Sequence, residues 1–439
     1  MRRVKNGKYP RMNLRPEQNR IGILLVGTIL LCVVALAGCT GTDTTTPAIP
    51  STTQGTAGVT DANNRFAFDL YSRLAKDPAY TGNNLFFSPF SLSSALAITY
   101  EGARGPTADE IRSVFYFPND TAALRQGFAD MNSGMNNGSA GYTLDTANAL
   151  WVEKTYPFLT GYISTAAQYY GANATSLDFI NRPEESRAII NRWVEQKTQN
   201  KIQDLVPAGG ITPMTRLVIT NAVYFKGTWV TQFDKNTTRE TRFRVSPEKT
   251  ANVKMMQRID ENAVYRYTET DDLQVLALPY AHDSGKELSM LVLLPKDDNL
   301  MAAERALDPV NYAGIQNSLV SQRVKIFLPK FRIETTAHLP STLAAMGMPT
   351  AFSGSADFSG MDGTQFLYIE DIIHKTYIDV NEEGTEAAAA TAVIMWGKGS
   401  VPEEPTVPVF NADHPFLFII QDDETGAILF MGRVTNPTG

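Results

Sequence analysis

A single mixed α+β domain over residues 61–439 is the fold class this sequence predicts, and three observations predict it. Apolar residues at helical spacing gather in the first part of that region. Short runs rich in branched residues gather in the later part, and neither an internal repeat nor a second linker divides the two. The signals do not alternate regularly, which argues against a parallel-sheet enzyme.

Residues 1–20 hold seven Lys or Arg against one Glu, and an apolar run of 17 residues, 21–37, closes on Leu36-Ala37-Gly38-Cys39. Residues 1–39 therefore read as a secretory signal with a lipobox-like end, in which Cys39 is the lipidated thiol. The alternative is an anchor helix, since the run is near the lower length limit for crossing a bilayer. Cys32 would leave with the signal, so the mature chain would have no disulfide and would rely on its core. Residues 40–60 are mostly Thr, Gly, Pro and Ala with one charge, Asp43, and are expected to be a solvated tether. The expected location is secreted or at the cell surface, lipid-anchored outside the cytoplasmic membrane.

Within residues 61–439, Phe66, Leu70 and Leu74 predict one helix. Thr107-Ala108-Asp109-Glu110 predicts a capping box that opens another, and Ile189, Trp193 and Val194 a third. Residues 217–225, 273–278, 288–294 and 324–328 read as strands bounded by Pro, Gly or charge, and 375–380, 407–410 and 415–420 read likewise.

Between the last of these lies an acidic, glycine-hinged start, Glu382-Glu383-Gly384-Thr385-Glu386, leading into Ala387, Ala388, Ala389, Ala390, Thr391, Ala392 and Val393. Side chains alternate across a strand, so one face would carry Thr385, Ala387, Ala389, Thr391, Val393 and Met395, none of them charged. No proline interrupts residues 379–400, whereas Pro402, Pro405 and Pro408 stiffen the segment beyond. Alanine also favours a surface helix, but the flanking strand signals favour a mobile connector able to enter a sheet.

Composition restricts the partners. The chain carries −7 and residues 1–39 carry +6, leaving −13 for the rest, so nucleic acid is not an expected partner. No Gly-x-Ser-x-Gly occurs, and His282, His338, His374 and His414 stand in no metal-ligand spacing, which argues against catalysis by this chain and against a metal cofactor.

Five separated stretches, in order, resemble the serpins, the serine protease inhibitor family. They are Asn84-Leu85-Phe86-Phe87-Ser88-Pro89-Phe90-Ser91 through Gly102-Ala103-Arg104-Gly105; Val218-Ile219-Thr220-Asn221-Ala222-Val223-Tyr224-Phe225-Lys226-Gly227-Thr228-Trp229; residues 380–390; Asn411-Ala412-Asp413-His414-Pro415-Phe416-Leu417-Phe418; and Phe430-Met431-Gly432-Arg433-Val434-Thr435-Asn436-Pro437. The resemblance implies a serpin-like domain of several helices around three β-sheets, with an exposed reactive loop over about 382–408. It implies no enzyme and no cofactor. Instead, a serine protease attacks the loop and forms an acyl intermediate; the cleaved loop then inserts as a strand and distorts the protease before deacylation.

In the family's usual seventeen-residue register from Glu382, the reactive bond is Lys398–Gly399, which implies irreversible suicide-substrate inhibition of a trypsin-like protease. A shifted register would offer Met395 or Trp396 to a chymotrypsin-like enzyme. The hinge is Glu382 to Thr391, with Thr385 as its small deciding residue. Ser88, Ser91, Asn221 and His374 match the family's shutter, the polar cluster beneath the parting strands. Trp229 and Lys330 match the breach where the loop enters, with Lys330 able to pair with Glu382 as an exposed ion pair contributing at most about 1 kcal/mol. Residues 121–142 carry Arg125 as their single base, so no polyanion cofactor is expected, and the expected state is a monomer. The remaining alternative is a noninhibitory serpin-fold binding protein.

Overall fold

Phe66, Leu70 and Leu74, spaced for one helix face, are all fully buried on α1 (Thr52–Leu74). The computed structural model describes residues 52–136, 141–297, 299–385 and 407–439, and residues 50–439 form one compact unit. The other long helices come early: α2 (Pro89–Gly102), α3 (Gly105–Val114), α4 (Thr121–Asn136), α5 (Thr160–Tyr170) and α6 (Pro183–Lys197). Shorter ones come later as α7 (Met301–Arg305), α8 (Pro309–Ser318), α9 (Pro340–Met346) and α10 (Ser359–Asp362).

The strands are β1 (Leu85–Phe87), β2 (Tyr142–Glu153), β3 (Asn173–Leu177), β4 (Leu217–Thr228), β5 (Arg239–Ser246), β6 (Lys249–Arg258), β7 (Val264–Glu269), β8 (Leu273–Pro279) and β9 (Leu288–Pro295). They continue as β10 (Val320–Arg323), β11 (Lys325–Pro329), β12 (Phe331–His338), β13 (Ile373–Asn381), β14 (Gly384–Thr385), β15 (Val409–Asn411), β16 (Phe416–Asp422) and β17 (Ile428–Val434). Among the described residues they form three sheets, ordered β12-β13-β14-β4-β2-β3, β1-β17-β16-β9-β8-β7-β10 and β15-β11-β6-β5. The expected α+β layering is what the chain adopts.

Periodicity explains how the sheets stack. Strands β9, β16 and β17 are apolar along most of their length and wholly buried, whereas β12 and β13 alternate between more and less buried positions. On β13 the buried face is His374, Thr376, Ile378 and Val380. Phe86 stacks on both Phe418 and Phe430, with ring centroids 5.7 and 5.3 Å apart, and so packs the edge strand β1 against β16 and β17 of the same sheet.

Two expectations are corrected. The tether does not reach residue 60, because α1 begins at Thr52 and Val59 is 1% exposed. Small residues make this possible: a Cβ on Gly55 would stand 2.9 Å from Ala123 O, and one on Gly127 2.6 Å from Gly55 O, so α1 and α4 pack backbone to backbone. The capping box does not form either, because α3 starts at Gly105 with Arg104 at its cap. Thr107 Oγ1 instead accepts from Asp357 N, and Glu110 accepts from the Thr350 backbone and hydroxyl, so both side chains tie the helix to a distant loop.

Candidate functional site

Strand β14 covers two of the described residues, Gly384 and Thr385, and is hydrogen-bonded on both sides. Thr385 lies opposite Val380 of β13 and Gly227 of β4, and Gly384 lies opposite Asn381 and Thr228. Gly384 has φ +151°, and a Cβ there would fall 1.9 Å from Gly227 O, so backbone approach at this point requires glycine. Gly227 is needed in turn, since its Cβ would stand 2.5 Å from the Tyr280 ring. Thr385 is 1% exposed, and its Oγ1 lies 2.8 Å from the Tyr280 hydroxyl. The Tyr280 ring stacks on Trp229 at 4.6 Å and 17° and meets Phe225 edge-on, so Thr385 rests on an aromatic floor. The start of the loop is therefore buried, not exposed.

The turn before β14 is held at several points. Trp229 N donates to Glu383 O and its Nε1 to Asn381 O, and Phe233 N donates to Glu382 O at 2.8 Å. Lys330 Nζ donates to Glu382 Oε2 at 2.7 Å, Thr238 Oγ1 donates to Glu382 Oε1 at 2.8 Å, and Lys235 pairs with Glu383. Burial pushes the Glu382 carboxyl up, but the hydrogen bonds from Lys330 and Thr238 outweigh it and hold the group below its usual range. The Lys330–Glu382 pair exists, but it is not the exposed pair expected, because the Glu382 side chain is only 5% exposed.

A second polar cluster lies farther down the same sheet. Ser88 caps α2 by accepting from Ser91 N at 3.2 Å, and its Oγ donates to Leu429 O at 2.7 Å. The Ser88 backbone N donates to His374 Nε2 at 3.0 Å. Burial pushes the His374 imidazole down to about 4, and Nε2 is already committed as an acceptor, so the ring is neutral. Ser91 Oγ is buried with no partner among the described residues. Asn221 sits on β4 opposite Asn148 of β2, with Gly227 and Thr228 of the same strand beside β14.

The structure thus brings Glu382, Glu383, Gly384, Thr385, Trp229 and Lys330 together around β14, and Ser88, Ser91 and His374 into a separate cluster. Glu386, Ala387, Ala388, Ala389, Ala390, Thr391, Met395, Trp396, Lys398, Gly399 and Cys39 lie outside the described residues. Sequence reasoning missed Tyr280, Lys235, Thr238 and Phe233. Each is more than a hundred residues from the loop start it holds, and nothing in its own neighbourhood signals the contact.

His374 accepts from the Ser88 backbone N rather than from its hydroxyl, which donates to Leu429 O. Arg125 is taken up by Glu101, to which its Nε and Nη2 donate at 2.9 and 2.7 Å.

Comparison with known proteins gives a consistent result. A family profile described as Serpin (serine protease inhibitor) matches residues 61–437. A protein of Methanosarcina acetivorans described as an uncharacterized serpin-like protein is 41% identical over 424 residues, spanning 95% of this chain and 98% of that one. Leukocyte elastase inhibitor of Equus caballus is 42% identical over 386 residues, spanning 86% and 98%. The crystal structure of human thyroxine-binding globulin complexed with thyroxine matches with a TM-score of 0.76 at 29% identity, covering 88% of this chain and all of that one.

Proposed function

Because this chain belongs to the serpin family of serine protease inhibitors, we propose that it is an irreversible suicide-substrate inhibitor of trypsin-like serine proteases, attacked at Lys398–Gly399. The single observation that carries this reading is Thr385, small and buried, already lodged between β13 and β4.

Extending that ladder by its own register supports the trap. Residue 387 would fall between Ile378 and Phe225, residue 389 between Thr376 and Val223, and residue 391 between His374 and Asn221. Ile378, Phe225, Thr376, Val223 and His374 are buried, so side chains arriving beside them would be buried too, which small uncharged ones tolerate best. Ala387, Ala389 and Thr391 meet that demand. The other face would bring Glu386 beside Lys226 and Asp379, where a charge can reach solvent.

Each group then has a proposed role. Glu382, Glu383 and Gly384 form the hinge, anchored by Lys330 and Trp229 at the entry point. Ala387 to Ala390 and Thr391 are the inserting strand. Ser88, Ser91, Asn221 and His374 are the polar groups whose contacts rearrange as Thr391 arrives. Cleavage makes an acyl bond between the Lys398 carbonyl and the protease serine while Gly399 leaves with the new amine. Insertion then carries the bound protease away and deforms its oxyanion hole, so water does not complete the hydrolysis. We further place the chain outside the cytoplasmic membrane, tethered through Cys39.

The test is incubation with trypsin followed by denaturing electrophoresis and sequencing of the released fragment. The expected outcome is a gel-stable complex and a new N-terminus at Gly399. A start at Trp396 or Gly397 with a chymotrypsin-like enzyme would move the reactive bond. Cleavage without complex would favour a binding protein instead, a use of the fold that thyroxine-binding globulin illustrates.

A further inference from the structure

Beside Glu382 lies a cleft of about 240 Å³ lined by four cations, Lys235, Arg239, Lys254 and Lys330, against two carboxylates, Glu382 and Glu240. Such a gathering is unexpected on a chain whose net charge is −7. The backbone sets it up. Arg239 and Lys254 sit on paired strands in the registers Arg239 with Met255 and Glu240 with Lys254, and Lys330 N donates to Lys254 O at 2.8 Å.

Among the described residues, two of the cations are paired with carboxylates and two are not. Lys330 is bound to Glu382 and Lys235 to Glu383. The Arg239 guanidinium donates only to the backbone carbonyls of Asn236 and Thr238 among the described residues, and Lys254 has no carboxylate partner among them. Both are exposed. Glu382 itself demonstrates that the cleft holds an anion, since its carboxylate accepts from an ammonium and a hydroxyl there.

We propose that this cleft binds a free, compact, multiply charged oxyanion of phosphate size, in competition with the Glu382 carboxylate. A tetrahedral oxyanion presents several acceptors at once. The planar fork of Arg239 and the ammonium groups of Lys254 and Lys330 can meet them from different sides, which one carboxylate oxygen pair cannot do. Because Glu382 leads directly into β14, the bound oxyanion loosens the loop start, and Trp229, bonded to Glu383 O and Asn381 O, feels the change.

Binding is measured on the uncleaved chain with no protease present, so its outcome is separate from the inhibitor reading. Inorganic phosphate is titrated calorimetrically at an ionic strength held constant with sodium chloride. The expected result is saturable binding at one site, weakened about tenfold in Arg239→Gln and in Lys254→Gln. In Glu382→Gln binding should tighten several-fold, since the resident competitor loses its charge. The two exposed cations form no ion pair among the described residues, and circular dichroism checks that each variant keeps the fold. Absence of saturation beyond the chloride control, unchanged affinity in both Arg239→Gln and Lys254→Gln, or weaker binding in Glu382→Gln would each overturn the proposal.

Discussion

The hydroxyl of Tyr280 lies 2.8 Å from Oγ1 of Thr385, and both residues are 1% exposed. The pair links the residue just after β8 in one sheet to Thr385 of β14 in another, across 105 positions of sequence. Replacing Tyr280 by Phe keeps the ring that stacks on Trp229 but leaves the Thr385 hydroxyl buried without this partner. Uncleaved protein should lose about 1–2 kcal/mol of stability in urea unfolding. The double variant Tyr280→Phe with Thr385→Val should lie nearer wild type than Tyr280→Phe alone, because both ends of the bond are then gone.

Thr385→Arg places a charge where the wild-type side chain is buried against Tyr280, Gly227 and Val380. The chain should remain a trypsin substrate and form no gel-stable complex, since an unpaired cation cannot keep this buried position and its expulsion leaves the strand without its starting point. The introduced cation is itself a tryptic site, so fragment sequencing must show cleavage at Lys398 as well. A stable covalent complex in this variant would rule out insertion as the trapping step.

Lys330→Met removes the ammonium from Glu382 and leaves the carboxylate with Thr238. Breaking a fully buried pair costs about 3–5 kcal/mol. Lys330 is 34% exposed, so water partly screens the charge. Equilibrium unfolding should therefore show a loss of roughly 2 kcal/mol, and the Trp229 fluorescence should change as the turn before β14 loosens.

His374 gives a pH dependence of known sign. Its folded value of about 4 is below the ordinary 6.5, so the unfolded chain binds the proton first as pH falls. Stability is fully present above pH 6.5 and is lost as pH falls toward 4, by about 2 kcal/mol between pH 7 and pH 5. Glu382, also depressed, acts in a lower window, below the usual carboxylate range, so the interval from pH 7 to 5 isolates the histidine. Substituting Gln for His374 retains an acceptor for Ser88 N without a titrating group. Urea midpoints for this variant should be flatter over that interval than those of wild type.

Much of the molecule was legible in the residue pattern because periodicity and burial are local. Phe66, Leu70 and Leu74 specified a helix face. The strand signals at 217–225, 288–294 and 415–420 became β4, β9 and β16. The boundary at Thr52 was missed because threonine and glycine suit both a tether and a close helix crossing, and only the partner Gly127 decides between them. Thr107 and Glu110 were misread for a related reason: their hydrogen bonds go to Asp357 and Thr350, some 240 residues away or more.

The acidic, glycine-hinged tract that begins at Glu382 was determined by sequence alone in its chemistry: small side chains, no proline, and a charge at the entry. What only the tertiary structure decided is where that chemistry is held. Gly384 is required because the Gly227 carbonyl crowds against it, Thr385 is buried because Tyr280 lies beneath it, and Glu382 stays charged because Lys330 and Thr238 reach it from distant parts of the chain. Local sequence encodes what a segment can do, but the groups that hold it come from distant parts of the chain, and their approach is set by packing rather than by spacing.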